Sequence, residues 1–216
     1  MASVGLNATS AILSLTSFTF FLIGCIGYSN ENTTVENVNW FWSRDWDNTE
    51  NHNLYVGLSR LTIENAGSDT ASVPYSSNSC NLNFCDACEK HGENAFALLV
   101  IAVVFSFITT LLTIGASAAP SAGLSGGALS TAFVSCLFGV VGWSLFINKC
   151  FRKIVRNDTV GANDFDYGPG AILTLIAFLL AFIVMILQIV STAIAPASSN
   201  PTPVENKSEA VATNEL

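Results

Sequence analysis

Asn94-Ala95-Phe96-Ala97-Leu98-Leu99 opens a run that continues through Ala118-Ala119-Pro120-Ser121 to Phe146-Ile147-Asn148 without one Asp, Glu, Lys, Arg or His. A helix rises about 1.5 Å per residue and a hydrocarbon core is about 30 Å thick, so roughly 20 apolar residues make one crossing. This run is long enough for two crossings. Proline lacks a backbone donor and disfavours helix at the residue before it, so Pro120 is the natural break. The spacing predicts helices over Ala95–Ala118 and Leu124–Ile147. A connection of a few residues makes them antiparallel neighbours.

Two more charge-free blocks flank this hairpin, Met1–Asn30 and Tyr167–Val204. The first holds the apolar run Ala11–Tyr28 and the second holds Ala171–Ile194, ended by Pro196. Half of the 216 residues are hydrophobic and 11% are charged, with a mean hydropathy of +0.49. Water is therefore not the only solvent of this chain. Charge confined to a few segments sets aside intrinsic disorder and coiled coil, and a net charge of −8 opposes a nucleic-acid partner. The expected fold is an all-α membrane protein, a four-transmembrane-helix bundle with a small β-containing first loop, extracellular under the orientation that the resemblance named below implies. Its segments are the N-terminus and first span (1–28), the first loop (29–93), a hairpin of the second and third spans (94–147), the second loop (148–168), the fourth span (169–196) and a disordered tail (197–216), cytoplasmic under the same implication. No Lys or Arg precedes the first apolar run, which favours a retained span over a cleaved leader.

An even number of spans puts both termini on one side and both loops on the other. Lys149, Arg152, Lys153 and Arg156 follow the third span directly, and the positive-inside rule would hold the loops in the cytoplasm. Cysteine usage points the other way. Cys80, Cys85 and Cys88 in the first loop and Cys150 in the second lie on one side in either orientation, an even number as disulfides require. Three connectivities are open. In a reducing compartment, Cys80-x4-Cys85-x2-Cys88-x2-His91 could instead close a zinc site. Sequons at Asn32 and Asn157 fall in the two loops and are glycosylation candidates.

The four spans carry no ionisable side chain of the kind that proton relays and ion-coupled transporters place at membrane depth. Gln188, in the last span, reads as an interhelical hydrogen bond, and Thr109, Thr110 and Thr113 as hydroxyls bonded back to their own helix. Cys25 and Cys136 read as small packing residues. Gly123-x3-Gly127 and Ser135-x3-Gly139 place small residues one turn apart, a face for close helix packing within the bundle or between copies.

Ser29–Glu93 carries ten acids against three bases. Within it Leu54-Tyr55-Val56-Gly57-Leu58 alternates, and Leu61-Thr62-Ile63 is its expected partner strand. Trp40, Phe41, Trp42 and Trp46 read either as a small core or interface belt, or as a contact patch. Asn163-Asp164-Phe165-Asp166 lacks the spacing of a calcium loop and reads as a turn. His52 and His91 belong to no nucleophile motif and no glycine-rich phosphate loop occurs, so neither catalysis nor a cofactor is expected.

The run Glu93-Asn94-Ala95-Phe96-Ala97-Leu98-Leu99 opening the second span and Asp166-Tyr167-Gly168-Pro169-Gly170-Ala171 opening the fourth resemble segments of the trypanosomatid amastins. Together with the four-span layout and the position of Cys150, they make the chain, over roughly Tyr28 to Ile194, similar to the claudin-like superfamily. Val56-Gly57-Leu58 echoes part of a first-loop signature, with Ser59 where claudins place a tryptophan. The resemblance implies exoplasmic loops braced by a disulfide, cytoplasmic termini and a plasma-membrane location. The function expected is a non-enzymatic surface protein whose first loop makes lateral or intercellular contact, with the bilayer, further copies or other membrane proteins as partners. The alternative is a cation channel or auxiliary channel subunit formed by oligomerisation. Glycosylation mapping at Asn32 and Asn157 in intact cells reads the orientation: sugar at either site is the outcome expected for exoplasmic loops, and both sites bare would count against it.

Overall fold

The computed structural model describes residues 2–28, 32–44, 53–64, 70–76, 80, 84–119, 121–155 and 165–194. In chain order the elements are α1 (Ala2–Ile26), α2 (Asn32–Asn37), β1 (Phe41–Ser43), β2 (Asn53–Val56), β3 (Arg60–Glu64), β4 (Thr70–Pro74), α3 (Cys85–Ala118), α4 (Ala122–Phe146), a π-helical turn (Ile147–Phe151), α5 (Arg152–Val155), β5 (Phe165–Tyr167) and α6 (Pro169–Ile194). Four helices are long and apolar enough to cross a membrane.

Charge marks where lipid ends, not where a helix ends, so the helices outrun the apolar stretches that announced them. The first starts at Ala2 rather than Ala11. The second starts at Cys85, and its 34 residues reach about 51 Å against a hydrocarbon core of about 30 Å. Its charged turns Cys85–Asn94 therefore stand clear of the apolar stretch. The hairpin breaks where proline required: α3 stops at Ala118, and Ser121 caps α4 by accepting a hydrogen bond from the Leu124 N–H at 3.2 Å.

The bundle is a ring in which α1 packs on α3 and α6, and α4 packs on the same two. Its polarity is inverted relative to a soluble protein. Asn7, Ser10, Ser14 and Ser17 of α1 are buried, whereas Ile12 is 68% exposed. These polar positions repeat every three or four residues and so share one face of α1, where Asn7, Ser14 and Ser17 find partners inside. Asn7 Nδ2 donates to the Ala116 carbonyl at 3.2 Å, and Gln188 Nε2 and Ser191 Oγ donate to Asn7 Oδ1 at 3.4 and 3.0 Å. Ser14 Oγ lies 2.8 Å from Thr110 Oγ1, Ser17 Oγ donates to the Ala177 carbonyl, and Thr109, Thr110 and Thr113 bond back to their own helix.

Small residues on α4 let neighbours approach. A Cβ on Gly139 would lie 2.6 Å from the Phe21 ring and 3.2 Å from Phe178 Cβ, so its absence makes room for Phe21 at the bundle centre. Ser135 Oγ donates to the Ala102 carbonyl at 2.9 Å, and Gly127 faces Leu112. Gly123 is exposed with open space at its Cβ position.

The end of α4 holds a feature that periodicity could not announce. Its buried stripe runs Ala128, Ala132, Ser135, Gly139, Gly142 and Phe146, a pattern whose continuation would bury Lys149 and Lys153. The π-helical turn fits one extra residue into the helix. Cys150 and Ile154 become the buried pair, and both lysines are left exposed.

At the opposite end from the start of α1 and the end of α6 lies an antiparallel sheet of order β4-β3-β2-β1-β5. The expected pair is there, with Val56 opposite Leu61 and Leu54 opposite Ile63. Phe165 and Asp166 are not a turn: they lie in β5, a strand from the second loop that pairs Tyr167 with Phe41. The sheet is thus built from both loops. Gly139→Leu should lower the stability of the detergent-purified protein by about 1–3 kcal/mol through overpacking against Phe21, measured as a fall in thermal midpoint, while Gly123→Leu should leave the midpoint unchanged.

Candidate functional site

Burial alternates along β1 and β2, whereas in β3 both Leu61 and Thr62 are buried. Phe41, Leu54, Val56 and Leu61 are buried on its bundle side, and Trp42, Tyr55 and Asp166 lie paired in register on the other. Three to five residues per strand cannot bury that inner face alone. The bundle supplies the cover.

Trp40 fastens the joint. Its indole N–H donates to the Gly24 carbonyl on α1 at 3.2 Å, and its ring meets Phe146 of α4 edge-on, centroids 5.2 Å apart. Its backbone N–H donates to the Val56 carbonyl at 2.8 Å, and its own carbonyl accepts from the Gly168 N–H at 2.9 Å. Phe41 stacks on Phe151, centroids 4.4 Å apart, and on Phe146.

Such close contact needs residues without side chains. A Cβ on Gly170 would lie 2.9 Å from both the Trp40 ring and the Val38 carbonyl oxygen, and one on Gly92 would overlap the Leu58 carbonyl. The Gly168-Pro169-Gly170 sequence therefore opens α6 where the Val38–Trp40 backbone rests on it, with Gly170 N–H donating to the Asn39 carbonyl at 2.9 Å. Tyr75 seals the far edge: its hydroxyl donates to the Gly57 carbonyl at 2.9 Å, and burial pushes its phenol above the ordinary range, so it stays protonated.

Four cysteines brace the assembly as Cys80–Cys85 and Cys88–Cys150, with Cα separations of 6.1 and 4.6 Å. The second joins residues 62 apart in sequence and ties the projecting end of α3 to the π-helical turn after α4. With their sulfurs bonded to each other, these cysteines do not form the zinc alternative with His91. Among the described residues no group of three or more His, Cys, Asp or Glu side chains could hold a metal. His91, on the projecting turns of α3, is held below its ordinary pKa by desolvation and by the charges of Lys149, Lys90 and Lys153.

Other candidates fall as follows. Trp40 and Phe41 are fully buried in the joint, so the packing alternative describes them. Trp42 is half-buried on the outer face, with the Arg44 guanidinium carbon 5.7 Å from its ring centroid. Trp46, Asn157 and His52 lie outside the described residues, as does the side chain of Asn32. Cys25 and Cys136 are free and half-buried. Sequence reasoning did not find Phe146, Phe151 and Phe165, which complete the aromatic cluster. Their signal was present, since Phe146 and Phe151 bracket the end of the third span, but an aromatic at a span end reads equally as an interfacial anchor.

No protein-family model matches this chain, and no curated protein matches it. The claudin-like resemblance therefore rests on its quoted motifs. Non-reducing peptide mapping should find the Cys88 peptide linked to that of Cys150. Cys88→Ser should cost about 2–5 kcal/mol of stability, because that bridge closes the longer loop; four free thiols, or Cys80 joined to Cys150, would refute this wiring.

Proposed function

We propose that the chain is a non-enzymatic surface protein of the plasma membrane that uses the outer face of its disulfide-braced sheet for lateral or intercellular contact. In this reading the loops are exoplasmic and the termini cytoplasmic, since disulfides persist in an oxidising compartment and are rare in a reducing one. The claudin-like resemblance, nearest the amastins, supports the same orientation.

The observation that carries the proposal is Trp42. It sits mid-strand on the outward side of a sheet whose inner side is locked to the bundle, between Asp166 and Tyr55 in register. An outward tryptophan on a rigid support is a favoured anchor for a protein partner, because little conformational freedom is lost on docking. A second copy of the chain or another membrane protein is the partner this reading assigns.

The channel reading has one observation in its favour. Glu89 and Glu93, one turn apart on the projecting end of α3, line a cleft of about 190 Å³ together with Tyr28 and Ser59. In an oligomer, such carboxylates would concentrate cations above a shared pore.

Cells displaying the protein should adhere or yield surface cross-links between copies. Trp42→Ala should weaken that contact by about tenfold or more at unchanged surface amount, whereas Trp40→Ala should lower the surface amount itself. Wild-type cells that neither adhere nor cross-link, with cation currents from the purified protein in bilayers, would favour the channel instead.

A further inference from the structure

Lys149, Arg152, Lys153 and Arg156 are half of the eight cations in the chain, gathered just past the apolar part of α4. Nothing in the contact role uses them, and under exoplasmic loops the positive-inside rule leaves them unexplained. Lys149, Arg152 and Lys153 are exposed. Among the described residues no carboxylate forms an ion pair with any of the three. The π-helical turn is what holds both lysines outside, because an uninterrupted α-helix would have turned them into the buried stripe.

Directly below them, on the side of α4 away from its buried stripe, is a groove of about 250 Å³. Val140, Val141, Ser144 and Leu145 line it, and Asn148 and Lys149 form its mouth. The apolar run ends at Ile147, so Lys149 stands about 3 Å further along the axis, at the level where phospholipid phosphates lie. Apolar walls running into the hydrocarbon and an unpaired ammonium at the headgroup end match one kind of molecule at both ends.

We propose that this groove is a binding site for a single anionic phospholipid, with its phosphate on Lys149, additional charge from Lys153 and Arg152, and an acyl chain along Val140, Val141 and Leu145. An anionic headgroup is favoured over a choline one because, among the described residues, no acid lines the groove to accept the choline ammonium. The site requires only that α4 cross a membrane and holds whichever side the loops occupy. It also gives the basic cluster a use other than setting orientation.

Native mass spectrometry of the full-length protein in detergent tests the site with phosphatidylglycerol, phosphatidylcholine and inorganic phosphate as separate probes. Phosphatidylglycerol should be retained roughly 25-fold over phosphatidylcholine, about fivefold for each of the two lysines. The Lys149→Gln/Lys153→Gln double variant should erase that preference, each lost cation accounting for roughly a fivefold change. Val141→Trp, which fills the groove and leaves the charges intact, should lower retention of both lipids. All of these positions are exposed, so an unchanged lipid-free thermal midpoint confirms that the variants fold. Equal retention of the two lipids, a preference that survives the double variant, retention unaffected by Val141→Trp, or inorganic phosphate binding as well as the lipid would each overturn the site.

Discussion

The loop sheet has strands too short to make a core of its own, so its existence depends on a joint with the bundle. Trp40 is that joint. Its buried indole bonds to α1 and packs on α4, while its backbone N–H continues the β2 ladder and its backbone carbonyl accepts from Gly168, just ahead of α6. Indole burial of this kind is worth several kcal/mol, about 3–5 on truncation to alanine. Because each contact goes to a different element, the sheet cannot rock without breaking several at once. Glycines at the points of closest approach are the complement of that constraint, since any Cβ at Gly170 or Gly92 would push the loop backbone off the helices.

The same economy of close approach runs through the bundle below. Lipid tails are as apolar as leucine, so hydrophobic burial cannot hold these helices together. Hydroxyls, amides and small residues take that role. The buried Asn7, Gln188 and Ser191 cluster ties the first turns of α1 to the last turns of α6, and Gly139 admits the Phe21 ring at the centre. Exposed Ile12, Leu111 and Phe133 face outward, as a lipid solvent requires.

The π-helical turn joins these two halves. Shifting the helix by one residue turns Cys150 inward toward Cys88 and leaves the neighbouring lysines outside. One backbone irregularity thus sets the bridge between α3 and the end of α4, and at the same time places a row of cations at the edge of the apolar zone. The outer face of the sheet and the basic edge are consequently held at fixed positions relative to one another.

Long uncharged runs and Pro120 were enough to read four apolar helices and the tight hairpin, because helix rise and bilayer thickness are fixed lengths that composition must match. Alternation around Leu54–Ile63 was enough to read one strand pair, and the even set of loop cysteines to place four thiols on one side. The true helix ends were not legible, since α3 continues through charged residues that lipid alone would not tolerate but that a loop domain can surround. Nor was the recruitment of Phe165–Tyr167 as the edge strand beside Phe41, a pairing between residues more than a hundred positions apart that no local pattern encodes. Cysteine pairing and the exposure of Lys149 hinge on a one-residue shift that the local periodicity does not encode. The sequence by itself determined how many apolar helices the chain makes and where it turns, through local lengths and periodicities. Tertiary structure alone decided what covers the sheet and which thiols meet, because those outcomes depend on distant segments reaching the same place.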